Sequence, residues 1–241
     1  MSKRRLDALL VERGLAPSRE KARASIMAGQ VLVSQQPASK AGQLVSESAE
    51  ITLLSRGRYV SRGGEKLEHA LAAFGIEVKG LVAADIGAST GGFTDCLLQR
   101  GASKVYAIDV GYGQLDYRLR NDSRVVVMER VNARYLEVLQ EPIDLVTIDV
   151  AFISLQQVLP SVSRSLKPEG CIVALFKPQF QAERGEVASG GVIRDPLLHA
   201  TLIGRFVAWA VENGFRVRGP VRSPLLGPAG NVEFFFQLRK R

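Results

Sequence analysis

Cysteine is scarce in this 241-residue chain: only Cys96 and Cys171, far apart, in a helix-like and a strand-like context. With no cysteine cluster, two buried thiols in a cytoplasmic protein are expected in preference to a disulfide or a zinc site. Histidine is just as sparse. His69 and His199 stand alone on helical patterns, and no metal site is expected. No apolar run approaches the roughly 18 residues of a membrane span. The best candidate, Leu197 to Val211, is broken by Arg205. No apolar segment follows the first lysines and arginines, so neither a signal peptide nor a membrane partner is expected.

Charge is plentiful and unevenly placed. Residues 1–62 hold eleven Lys/Arg against five Asp/Glu, a net +6 of the chain's +8. The remaining 179 residues carry only +2. A small basic N-terminal region points either to a polyanionic partner or to a solvated surface.

The segment "RLDALLVERGLAPSREKARASIMAGQVLVS" predicts two short helices and a strand. Leu6, Leu9 and Leu10 share one helical face, and Gly14 ends that helix. Ser18 caps a second helix whose apolar side carries Ala22, Ile26 and Met27, and Gly29 stops it. "QVLVS" and "AEITLL" alternate like paired strands. Together these elements resemble the RNA-binding domain typified by ribosomal protein S four. The resemblance makes Arg4, Arg5, Arg19, Lys21 and Arg23 candidate RNA contacts, with Arg62 beyond them. "VSQQP" departs from the Asn-Gly turn common in such domains. An RNA-binding domain is expected over 1–55, an arginine- and glycine-rich linker over 56–63, and a second domain over 64–241.

From Leu81 the pattern alternates strand and helix: VAADI, KVYAID, RVVVME, LVTID and CIVALF. This predicts an α/β fold with a doubly wound, Rossmann-like parallel sheet beside the small α+β N-terminal domain. A helix near Pro196–Asn213 leads to "FRVRGPVR" and "NVEFFFQLR", a hairpin that makes the last strand antiparallel. The turn after VAADI, Gly87-Ala-Ser-Thr-Gly91-Gly92, lacks the second glycine of the dinucleotide fingerprint. No Gly-Lys-Ser/Thr follows, which excludes a P-loop. Asp85 before the turn would repel phosphates but suits a ligand carrying an ammonium and a sulfonium. Asp109, 22 residues beyond Gly87, is placed to accept from two ribose hydroxyls. This pattern fits S-adenosylmethionine, with Asp85, Gly87, Ser89, Gly91, Gly92, Phe93 and Asp109 as candidate contacts and Asn132 at the adenine edge.

In such sheets ligands lie beyond the carboxyl ends of the strands. Asp149 and Lys177 end two strands, Glu233 begins the antiparallel one, and Lys66 stands in the first turn of a helix. In order and context these four resemble the Lys-Asp-Lys-Glu tetrad of ribose 2′-O-methyltransferases. "VSRGGEKL", "DIGASTGGFTD", "DVGYGQLDYRLRND", "LFKPQFQ" and "GPAGNVEFFF" resemble the TlyA family of rRNA cytidine 2′-O-methyltransferases, across nearly the whole chain. Tyr59 stands where some members carry a linker tryptophan.

The resemblance implies rRNA of a ribosomal subunit as partner and S-adenosylmethionine as cofactor. A ribose hydroxyl needs an aligned base. Lys177 is the candidate, with Asp149 and Glu233 orienting the lysines. Shorter family members act on the large subunit alone, and the stop at "QLRKR" gives that expectation here. "PQFQAERGEVASGGVIRD", after Lys177, is expected to be a mobile lid. Two rival readings are a membrane-active haemolysin, a label often attached to this family, and a non-catalytic ribosome-assembly protein.

Overall fold

A computed structural model describes residues 3–27, 29–38, 40–53, 58–183, 185–187 and 190–241. The chain divides into two compact units, 1–62 and 63–241. The domain boundary expected at residue 55 lies outside the described residues, as does part of the expected linker.

In the first unit β1 (Lys3–Arg5) runs into α1 (Leu6–Glu12), followed by α2 (Arg19–Met27), β2 (Val31–Val33), β3 (Gln36–Pro37), β4 (Leu44–Ser46) and β5 (Ile51–Leu53). Leu6, Leu9 and Leu10 are buried with Ala22 and Ile26 in a small core. Ser18 Oγ accepts from the Lys21 N–H and caps α2 as expected. Met27, expected on the apolar side, is instead exposed. Ala22 and Ile26 are one turn apart, whereas Met27 sits about 100° further round. β2 pairs antiparallel with β5 and makes a two-residue hairpin with β3. Ser34 and Gln35 carry that turn at φ of 48° and 66°. These are the left-handed values that an Asn-Gly pair adopts at lower cost. β1 and β4 pair in a further small sheet that the sequence pattern did not reveal.

The second unit opens with α3 (Gly63–Phe74) and β6 (Val82–Ile86). After them come α4 (Gly92–Gln99), β7 (Lys104–Asp109), α5 (Tyr117–Arg120), β8 (Val125–Glu129), β9 (Ile143–Ile148), α6 (Leu155–Val162) and β10 (Leu166–Phe176). α7 (Pro196–Glu212), β11 (Phe215–Arg222) and β12 (Phe234–Lys240) complete it. The strand order is β11-β12-β10-β9-β6-β7-β8. Every pairing from β10 to β8 is parallel, and β12 runs antiparallel to both its neighbours. Near-continuous apolar strands such as Cys171–Phe176 reflect burial on both faces. Phe176, Phe206 and Phe236 pack ring to ring between the sheet and α7. Asp195 caps α7 by accepting from the Leu197 N–H, with Pro196 at the first helical position. Cys96 and Cys171 are buried thiols outside any disulfide, and Cys96 Sγ donates to Glu68 Oε2 at 3.7 Å. No described helix is long and apolar enough to cross a membrane.

Candidate active site

The topology brings the ends of four neighbouring strands to one edge. Asp85 lies near the end of β6, Asp149 directly follows β9, Lys177 directly follows β10, and Glu233 directly precedes the antiparallel β12. Phe176 faces Phe234 in the β10–β12 register, so Lys177 and Glu233 leave the sheet side by side. Lys66 reaches the same group from the first turn of α3.

Four of these side chains form two ion pairs. Lys66 Nζ donates to Glu233 Oε2 at 2.5 Å, with side chains only 10% and 1% exposed. Lys177 Nζ stands 2.6 Å from Asp149 Oδ1, at 13% and 25% exposure. The second contact is close but misaligned, since Asp149 Oδ1 has no hydrogen-bond partner of good geometry. Glu233 Oε1 is likewise buried and unbonded. It lies where Gly227 has no side chain: a Cβ there would stand 2.6 Å from it. Removing either member of the drier pair would leave an uncompensated buried charge.

The turn after β6 is built on backbone proximity. A Cβ on Gly87 would stand 2.4 Å from the Asp149 carbonyl oxygen, and Gly87 has φ of +84°. Both facts require glycine. Ser89 also adopts positive φ, and Gly91 begins α4 from the left-handed region. Asp109 accepts from the Ser89 N–H at 2.8 Å and the Gly111 N–H at 2.6 Å. Each of its oxygens keeps a lone pair for a further donor.

Two expected ligand contacts are corrected by their surroundings. Asp85 is wholly buried and accepts from the Thr94 and Thr147 hydroxyls at 2.7 and 3.1 Å. It bolts β6 to β9 and α4, and no face of it remains for a ligand. Burial, with a smaller push from the Asp149 charge, raises its carboxyl to about 7 against the two threonine bonds. The Phe93 ring is also in the core, 6.2 Å from the Phe235 ring, so only its backbone faces the turn. Asn132 is exposed after β8, with Oδ1 capping a short helical turn through the Arg134 N–H. Its amide nitrogen has no partner among the hydrogen bonds described.

Sequence reasoning missed Phe152. This residue is 92% exposed, holds φ of +63°, and lies three residues beyond Asp149. Its ring packs 5.1 Å from that of Phe180, which in turn lies 5.9 Å from Lys177 Nζ. A bulky non-glycine residue at positive φ is a strained outlier. The combination of "Asp-x-x-Phe" at a strand end with an aromatic near Lys177 was the available signal.

The segment expected as a lid is fastened where it is described. Residues 184, 188 and 189 lie outside the described set. Gln181 accepts from the Leu155 N–H, and Glu186 pairs with Arg205. Asn231, almost wholly buried, accepts from the Ile193 N–H and donates to the Gly191 carbonyl. His199 meets the Ile193 carbonyl as well.

In the first unit, Arg5, Arg19 and Arg23 gather on Asp7, while Arg4 pairs with Glu47 and Glu12. Lys21 is exposed, and Arg62 lies over Gly29, where a Cβ would stand 3.4 Å from its Nε.

Residues 59–240 match the FtsJ-like methyltransferase model, and residues 4–51 match the S4 domain. The chain is 49% identical over 239 residues to the 16S/23S rRNA (cytidine-2′-O)-methyltransferase TlyA of Mycobacterium tuberculosis, spanning 98% of this chain and 89% of that one. The chain belongs to the TlyA family of FtsJ-like methyltransferases. A further TlyA, the 23S rRNA (cytidine-2′-O)-methyltransferase of Campylobacter jejuni, is 34% identical over 80% of this chain and 75% of its own. A solved Streptococcus thermophilus structure described as a hemolysin superposes with TM-score 0.78 at 43% identity, covering all of this chain and 89% of that one. As in the TlyA family, the catalytic unit here is a methyltransferase sheet carrying an S4 domain on its N-terminal side in sequence.

Proposed function

We propose that the protein methylates the ribose 2′-oxygen of a cytidine in ribosomal RNA, with the large subunit as its substrate and S-adenosylmethionine as donor. The observation that carries this reading is the pair of lysine–carboxylate contacts at one sheet edge beside the glycine turn. Large-subunit rRNA is the substrate common to the names of both TlyA relatives.

The cofactor reading rests on the donor set of the turn. Gly87, Ser89, Gly91 and Gly92 supply backbone, Asp109 supplies acceptors for ribose hydroxyls, and Asn132 offers its amide nitrogen to the adenine edge. When bound, S-adenosylmethionine supplies an electrophilic methyl group on a sulfonium.

The step needs Lys177 as the neutral amine: its Nζ lone pair takes the 2′-hydroxyl proton and becomes the ammonium facing Asp149, leaving O2′ as the nucleophile. Its contact with Asp149 is the looser of the two, so Nζ is free to turn to a substrate hydroxyl. Lys66, locked to Glu233 in drier surroundings, keeps a fixed positive charge beside the developing oxyanion. Asp149 orients Lys177, and Glu233 orients Lys66. Phe152 offers an exposed ring on which the base attached to the reacting ribose can stack.

Purified protein and methyl-labelled cofactor, incubated separately with isolated large and small subunits, test the reading. Ribose methylation should map to a cytidine of the large-subunit rRNA. Label on a base, or none on either subunit, would overturn the proposal; efficient labelling of small subunits, alone or beside large ones, would overturn the choice of subunit.

A further inference from the structure

Arg5, Arg19 and Arg23 come from separate places in the first unit and converge on one carboxylate. Arg5 directly precedes α1, while Arg19 and Arg23 stand one turn apart on one face of α2. Asp7, in the first turn of α1, is fully buried. Its Oδ2 receives Arg5 Nη2 at 3.0 Å, Arg19 Nη2 at 3.1 Å and Arg23 Nε at 3.4 Å. Oδ1 receives Arg5 Nε at 3.1 Å. The three arginine side chains remain 45–59% exposed. Gly42 gives Arg5 its seat, since a Cβ there would stand 3.2 Å from the guanidinium. Arg4 is excluded from the group by its own pairing with Glu47 and Glu12.

We infer that Asp7 is a positioning residue that organises Arg5, Arg19 and Arg23 into a single phosphate-binding site. One buried negative charge under three guanidiniums leaves two net positive charges in one place. Each guanidinium has five N–H donors. Asp7 accepts two hydrogen bonds from Arg5 and one from Arg19, and Arg23 meets it as an ion pair, so most donors remain for an anion. The hydrogen bonds from Arg5, ahead of those from Arg19, hold the Asp7 carboxyl well below the usual carboxylate range, and it stays ionised. Long side chains usually lose rotamer freedom on meeting a ligand, which weakens binding. Here Asp7 has already ordered them. The inference rests on the reading of the first unit as RNA-binding.

The test has opposite signs for two explanations. Asp7→Asn adds one unit of positive charge, so simple electrostatics predicts tighter binding and a steeper salt dependence. Pre-organisation predicts binding about tenfold weaker, with the salt slope unchanged. Binding of the full-length protein to purified large ribosomal subunits is measured across a salt series. The double variant Arg19→Lys with Arg23→Lys keeps the charge but loses the planar fork, and should weaken binding similarly. Circular dichroism checks folding; if Asp7→Asn is unfolded, the double variant decides alone. Wild-type affinity in the double variant, or equal or tighter binding by folded Asp7→Asn, overturns the inference. Failure of the wild-type protein to bind subunits would strike the RNA reading itself, and this inference with it.

Discussion

Asp85 and Thr147 stand opposite each other on neighbouring parallel strands, the threonine hydroxyl donating to the carboxylate at 3.1 Å. With Thr94 closing the other side, an acid sealed beneath the glycine turn holds a proton up to about pH 7. The unfolded chain releases that proton near pH 4. Between about pH 4 and about pH 7 the folded state therefore binds more protons, and stability falls as pH rises through that window.

Asp85→Asn should remove this dependence. Denaturant unfolding at several pH values should give a wild-type curve that declines towards pH 7 relative to the variant's, by at most about 4 kcal/mol. Parallel curves across that window would show that Asp85 ionises normally in the folded protein.

Lys177→Ala should lower methyl transfer by at least about a hundredfold, the usual range for loss of a general base. Cofactor affinity measured by calorimetry should stay near wild type, because Lys177 belongs to the ion pair and not to the turn. Turnover within a few-fold of wild type would remove Lys177 from the proton path.

Gly227→Ala should disturb Lys66 without touching either lysine. The added Cβ meets Glu233 Oε1 at 2.6 Å and must push the carboxylate off the Lys66 ammonium. A large loss in kcat is expected, with little change in cofactor binding. Full activity would mean that the Lys66–Glu233 contact is dispensable.

The Ser34–Gln35 turn should accept improvement. Replacing the two residues by Asn-Gly supplies the same left-handed geometry at lower cost, a gain of up to about 1 kcal/mol. Thermal unfolding should move up by a few degrees, and a lower midpoint would mean that this hairpin is held by contacts other than its turn.

Much of this was legible because it depends on period and punctuation. The apolar runs from VAADI to CIVALF mark buried strands, and the polar residue ending each one marks the reactive edge. Sequence reasoning could thus bring Lys66, Asp149, Lys177 and Glu233 together, though not divide them into pairs. It misjudged Asp85, since a carboxylate before a glycine turn looks the same whether threonines seal it or not. Thr147 lies 62 residues away, and that distance hides the bond. Phe93 misled for a related reason: its place in the turn is visible, but the side of α4 on which the ring falls depends on Phe235. Phe152 was overlooked because "Asp-x-x-Phe", the signal available, shows neither the exposure nor the backbone strain that single the residue out.

The Lys66–Glu233 contact joins positions 167 residues apart. Glu233 is carried by a strand that inserts between β10 and β11. Closing so long a loop is slow and can occur only after both flanking strands exist. During synthesis the glycine turn and Asp109 therefore emerge well before the Lys66–Glu233 pair can form. A chain interrupted before β12 would keep the glycine turn and Asp109 yet lack the Lys66–Glu233 contact, so the charged cluster at this edge is complete only once β12 has joined the sheet.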